Sequence, residues 1–289
     1  MALTESSLEH HYATVNGVRL HYVESGNGPL VLLLHGFPDF WGGWRKQIKA
    51  LSQAGFRVVA PDLRGYNLSS KPRGICNYSI THLVEDVVAL IHHLGEEKAA
   101  VAGHDWGGII AWHLAMRQPR YLSKLIILNA PHPAAFAREL RTWRQMRKSS
   151  YALFFQLPLL PERTIRARDF ALVKGVFRLD PINRRAFSRR DIDQAVEALS
   201  QPRALTCALN YYRAMRCRPR RVFQAKRIET PTLLIWGEQD RYLSLQLTRG
   251  LERWVSCLQL ERLPDASHWV HRDEPQRVNQ LMIDFLRDA

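Results

Sequence analysis

Several short stretches of this chain could carry chemistry together. Gly103-His104-Asp105-Trp106-Gly107-Gly108 sets a carboxylate between small residues two positions away on either side, after an apolar run and before a helical one. A nucleophile presented on a tight turn needs that spacing, because only small neighbours let the backbone close around it. Taken alone, the pattern also fits an Asp that caps a helix. His35-Gly36-Phe37-Pro38 follows an early apolar run, and its backbone N–H groups could hold a negatively charged oxygen. Its Phe37-Pro38 bond is a candidate for the cis form. Asp240, in Trp236-Gly237-Glu238-Gln239-Asp240, and His268, in Ala266-Ser267-His268-Trp269, lie just beyond two later apolar runs. A carboxylate beside an imidazole orients the ring and stabilises its charge. A carboxylate nucleophile is poorly suited to ordinary esters or amides. It suits displacement at a saturated carbon that bears a strained or good leaving group.

Such residues need strands and helices to position them. Residues 18–24, 30–34, 57–60, 99–102 and 125–129 read as strands. Leu30-Val31-Leu32-Leu33-Leu34 is continuously apolar, as expected where both faces of a sheet are covered. Residues 44–54, 80–94 and 106–117 read as helices, and in the second of these Leu83, Val87, Leu90 and Leu94 share one face. Strands alternating with helices predict a parallel sheet with helices on both sides. After Pro131-His132-Pro133 the texture becomes Arg-rich, aromatic and helix-like, with no clear strand. Residues 232–236 and 258–263 resume the strands, and 275–286 closes the chain as a helix. The expected organisation is a core of residues 1–133 and 223–289 with a helical cap, 134–222, inserted between its halves.

The composition limits the function classes. With 289 residues, 46% hydrophobic and 24% charged, the chain fits one α/β domain carrying an insertion. No apolar stretch approaches the roughly 18–20 residues that would cross a bilayer. The polar start, Met1 to His11, lacks the basic and apolar regions of a signal peptide, so a cytoplasmic protein is the expectation. Cys76, Cys207, Cys217 and Cys257 form no C-x-x-C pair and read as reduced residues; no metal-ligand spacing is present. The net charge is +14, and residues 138–221 hold 20 Lys+Arg against 7 Asp+Glu, whereas the remainder is nearly balanced. A solvated basic face is the plain reading, and attraction to anionic surfaces or acidic substrates is the sharper one. No nucleic-acid-binding motif accompanies the charge.

Taken together, these motifs resemble α/β-hydrolase-fold epoxide hydrolases over almost the full length, with Asp62-Leu63-Arg64-Gly65-Tyr66 adding to the likeness. The chain order of nucleophile, acid and His is that of α/β-hydrolases. The resemblance implies Asp105 as nucleophile, Asp240 and His268 as the remaining triad members, and the Phe37 and Trp106 amides as oxyanion hole. It implies two lid tyrosines as proton donors and substrate-binding groups. Tyr151 matches the first, in Tyr151-Ala152-Leu153-Phe154-Phe155-Gln156, and Tyr212 the second, in Asn210-Tyr211-Tyr212-Arg213, with Tyr211 as its rival. The implied reactants are a small epoxide and water, with no metal or organic cofactor, in a monomer or homodimer. Haloalkane and fluoroacetate dehalogenases share the Asp nucleophile and remain the alternative. A non-catalytic ligand-binding protein on the same fold is a further one.

Overall fold

The apolar runs become the middle of one sheet. The computed structural model describes residues 8–217 and 226–288. Its strands are β1 (Glu9–Val15), β2 (Val18–Ser25), β3 (Leu30–Leu34), β4 (Arg57–Pro61), β5 (Ala99–His104), β6 (Leu122–Leu128), β7 (Thr232–Gly237) and β8 (Leu258–Leu263). They lie in the order β1-β2-β4-β3-β5-β6-β7-β8. β2 runs antiparallel to both β1 and β4, and every other pairing is parallel. All residues of β3, β5 and β7 are buried, as the two covered faces require. β1 was not anticipated. Its polar Glu9-His10-His11-Tyr12 start carries little apolar pattern, and pairing with β2 at the sheet edge holds it.

Helices α1 (Arg45–Gln53), α2 (Ile80–His93) and α3 (Trp106–Arg117) fill the strand connections of the first half. α3 packs beneath the sheet centre, with Trp106, Ile110, Ala111, Trp112 and Leu114 all buried. Between β6 and β7 come α4 (Pro133–Glu139), α5 (Trp143–Lys148), α6 (Ser150–Phe154), α7 (Leu160–Leu179), α8 (Arg189–Ser200) and α9 (Ala204–Arg213). No strand interrupts them among the described residues. α7 is broken at Ala167–Phe170, where Arg168, Asp169 and Phe170 have positive φ. The expected limit of the insertion at residue 222 lies outside the described residues. α10 (Val270–Asp273) and α11 (Pro275–Arg287) close the chain. No helix among the described residues is long and apolar enough to cross a membrane.

One sequence expectation is corrected. Cys76 and Cys217 are joined in a disulfide, with Cα atoms 5.5 Å apart, whereas Cys207 and Cys257 are free. The partners are 141 residues apart in sequence and share no local motif, so only the fold brings them together.

Candidate active site

The turn between β5 and α3 projects Asp105. Its backbone takes φ 51° and ψ −120°, a conformation that L residues seldom adopt. The glycines on either side are dictated by space. A Cβ on Gly103 would lie 2.4 Å from the Gly107 carbonyl oxygen, and one on Gly107 would lie 2.0 Å from that of Leu34. Gly36 has the same constraint from the other direction, because a Cβ there would meet Asp105 Oδ1 at 2.3 Å. The loop after β3 can therefore press its backbone onto the carboxylate, and the Phe37 N–H donates to Asp105 Oδ1 at 2.8 Å. Phe37-Pro38 is cis, as anticipated. His35 holds this loop in place. Its Nδ1 bonds to the Gly36 carbonyl at 3.0 Å, and its Nε2 accepts from the Leu63 N–H at 3.0 Å. Burial lowers the His35 pKa, so a neutral ring serves as donor and acceptor.

His268 lies in the loop after β8. Its Nε2 is 3.5 Å from Asp105 Oδ2, and its Nδ1 is 2.7 Å from Asp240 Oδ2. Burial pulls the imidazole pKa down, but Asp240 together with the contact to Asp105 outweighs it and lifts the value to about 10. Burial likewise acts to raise Asp105 and Asp240, and the charge and bonds of His268 hold both below the usual carboxylate range. The resting site is thus an imidazolium between two carboxylates.

Sequence reasoning missed the supports of this triad. Asn129, one residue past β6 and at φ 39°, donates to Asp240 Oδ2 at 2.8 Å and accepts from the Gly237 N–H at 2.8 Å. The Tyr242 and Leu243 N–H groups donate to Asp240 Oδ1 at 2.7 and 2.9 Å. His104 Nε2 bonds to the His268 carbonyl at 2.9 Å, and burial drives the His104 pKa down to about 3, which leaves it a neutral donor. A polar side chain at a strand end, such as Asn129, was the available signal.

The insertion supplies the opposite wall. A cavity of about 270 Å³ is lined by Asp105, His268, Phe37, Tyr151, Tyr212 and Tyr242, with Phe155, Trp269 and aliphatic residues of α7. Tyr151 and Tyr212 meet edge to face, their ring centres 6.0 Å apart. Burial and the neighbouring negative charge of Asp105 raise both phenol pKa values, so both are protonated donors at neutral pH. Tyr211 faces elsewhere. Its hydroxyl donates to the Arg64 carbonyl at 2.7 Å, and its ring packs on Tyr66. Trp106 does not line the cavity; its ring packs behind Tyr212 at 5.0 Å. Asp105 makes no side-chain bond to the first N–H groups of α3.

The neighbours that flagged the two tyrosines are the parts that join their helices. Gln156 donates to the Tyr212 carbonyl at 2.9 Å. Arg213 donates to the Phe155 carbonyl at 2.9 Å and pairs with buried Glu162 at 2.7 Å. Gln145, fully buried on α5, donates to the Tyr242 carbonyl at 3.0 Å and accepts from the Ser244 N–H at 2.9 Å, which ties the insertion to the loop of Asp240. No cluster of metal-ligating side chains occurs among the described residues.

Residues 29–275 match the family model of the alpha/beta hydrolase fold. The chain is 44% identical to AB hydrolase superfamily protein YfhM of Bacillus subtilis, over 96% of this chain and 97% of that one. It is 38% identical to human epoxide hydrolase 4, over 99% of this chain and 81% of that one. Among solved structures, a Bacillus megaterium epoxide hydrolase in complex with an inhibitor superposes with a TM-score of 0.87 at 36% identity, covering 96% of this chain and 100% of the other. With the elbow, the triad and the capped cavity in place, these likenesses make the chain a member of the α/β-hydrolase-fold epoxide hydrolases.

Proposed function

We propose that this enzyme opens epoxides to vicinal diols through a covalent ester on Asp105. The observation that carries the reading is the pair of protonated phenols, Tyr151 and Tyr212, lining the same cavity as the ionised Asp105. An epoxide between them presents a carbon to the carboxylate and its oxygen to the phenols. Asp105 attacks that carbon, the C–O bond breaks, and the strongly basic alkoxide takes a proton from a lid tyrosine. In the second half-reaction His268, having returned its proton to the phenolate and oriented by Asp240, removes a proton from water that attacks the ester carbonyl. The bond from that carbon to the alkyl oxygen then breaks, the alkyl oxygen takes the hydroxyl proton left on the Asp105 carboxyl, and diol leaves with Asp105 again a carboxylate and His268 again protonated. The Phe37 and Trp106 amides serve as the oxyanion hole, and Phe37 and the tyrosines shape substrate binding, with Trp106 backing Tyr212 from outside the cavity. Residues 134–222 form the cap domain, and residues 1–133 with 223–289 the hydrolase core.

The charge balance sets the order of the two steps. In the resting site His268 is protonated because two carboxylates face it. Ester formation neutralises Asp105 and removes one of them. The His268 pKa then falls toward the ordinary value, and the ring becomes a base when the ester needs water. The deciding experiment offers the purified protein a small aryl epoxide, scored for diol, and a haloalkane, scored for halide. Diol without halide is expected. Halide without diol would make the tyrosines packing residues and assign a dehalogenase.

A further inference from the structure

The basic excess of the cap has no part in the chemistry above. Nine of the fourteen exposed large hydrophobic residues among the described residues lie between Leu140 and Leu179. Trp143 is 75% exposed, Leu153 73% and Leu159 65%. Isolated exposed leucines are ordinary, but a concentration rimmed by charge marks an interaction surface. α6 shows how the surface is built. Tyr151, Phe154 and Phe155 line the cavity, while Leu153 and Leu157 stand exposed on the same short stretch. On α5, Gln145 is buried against the core and Trp143 and Met146 face outward. Leu172 of α7 lines the cavity and is also 53% exposed, so apolar surface continues from outside into the pocket.

The same segment is cationic. Residues 140–179 contain nine Lys+Arg against two Asp+Glu. Arg141, Arg144, Arg147, Arg163, Arg166 and Arg168 are all exposed. Large apolar side chains interleaved with arginines match a surface that is hydrocarbon below and negatively charged at its boundary. A second copy of this chain would set arginines against arginines, and nucleic acid offers no apolar layer for the leucines.

We infer that the cap docks, through this face, on a bilayer containing anionic lipid, with the pocket mouth toward the acyl region. The partner supplies negative headgroups for the arginines and acyl chains for Trp143, Leu153 and Leu159. An apolar substrate dissolved in the bilayer would then reach the cavity past Leu172 without crossing water. The docking does not depend on the epoxide reading, because binding is measured without turnover.

The test is co-sedimentation of the full chain with vesicles of equal parts phosphatidylglycerol and phosphatidylcholine, beside vesicles of phosphatidylcholine alone. Binding to the anionic vesicles is expected, weaker in high salt. Arg141→Ser/Arg144→Ser/Arg147→Ser should lose about a hundredfold in affinity, at about fivefold per arginine. Trp143→Ser/Leu153→Ser/Leu159→Ser keeps every charge and should lose at least about tenfold, since the apolar contacts add to the electrostatic ones. Both variants should keep the thermal midpoint of the parent. An unbound parent chain, or full binding by the apolar variant, overturns the proposal. So does a dimer in size-exclusion chromatography that the apolar variant dissolves, since that would assign the face to a second copy.

Discussion

The two halves of the active site are held by different physics. On the core side, Asp105 is fixed by backbone packing. Gly36, Gly103 and Gly107 leave no room for a Cβ, and the Phe37 amide sits on the carboxylate. On the cap side, Tyr151 and Tyr212 sit on two helices joined by single side chains, Gln156 and Arg213, and linked to the core loop by Gln145. The core half tolerates no added atom, whereas the cap half rests on a few buried hydrogen bonds and aromatic edges. Attack on carbon needs a near-fixed line of approach, and proton donation to an oxygen tolerates more spread. The proposed division of labour follows that difference: covalent chemistry in the core, donation and selection in the cap.

Removing the core nucleophile gives the largest expected effect. Asp105→Ala should lower kcat by about 10⁴-fold or more, the scale for deleting a member of a covalent triad. Retention of substantial diol formation would mean that water is activated directly. His268→Gln separates the half-reactions. Attack should persist and hydrolysis should stop, so an intact-mass spectrum after exposure to a reactive epoxide should show an ester adduct. An unmodified mass would break the assignment.

The pH dependence sharpens the same point. Asp105 is held below the usual carboxylate range, so ester formation should stay level from neutral pH well into acid. His268 must lose its proton for the second step, and in the ester form only Asp240 still raises it. Ester hydrolysis should therefore rise with pH to a plateau, with a midpoint below the resting value of about 10. Single-turnover rates for the two phases measure this. A hydrolysis midpoint at the resting value of about 10 would show that ester formation does not release the imidazole.

The cap half predicts a smaller loss. Tyr151→Phe with Tyr212→Phe should cost about 10²–10⁴-fold in epoxide turnover, the range for general acid catalysis. Either single change should cost less, because the other phenol still donates. Tyr211→Phe should alter stability more than turnover, since its hydroxyl bonds the Arg64 carbonyl away from the cavity. Equal losses for Tyr211 and Tyr212 would contradict the division between the two.

The same contrast governs what was legible in the sequence. Steric necessity leaves local marks, and the Gly-x-Asp-x-Gly spacing and the His-Gly-Phe-Pro loop were readable because each constraint falls on neighbouring residues. The continuous apolar runs of β3 and β7 marked strands covered on both faces for the same reason. Partners distant in the chain leave no such trace. Asn129 reaches Asp240 across 111 residues, and Gln145 reaches Tyr242 across 97, so a polar side chain at a strand end marked Asn129 without naming its partner, and nothing marked Gln145. Tyr212 and Tyr211 are adjacent in one helix, and only the helix rotation against Phe37 and Arg64 distinguishes them.

The Cys76–Cys217 bond is the longest-range of these links and joins the core segment before α2 to the turn that follows α9. A crosslink that closes so long a loop acts mainly by restricting the unfolded chain, and such bonds contribute about 2–4 kcal/mol. Cys76→Ser should therefore lower the thermal midpoint by several degrees while leaving kcat nearly unchanged, because neither sulfur lines the cavity. Dithiothreitol should lower the midpoint of the parent by a similar amount and leave the variant unaffected. A reducing cytoplasm would oppose the bond, so thiol counting on freshly isolated protein is part of the same experiment. A variant and a parent that melt together, both indifferent to reductant, would mean that the cap is held to the core by its hydrogen bonds alone.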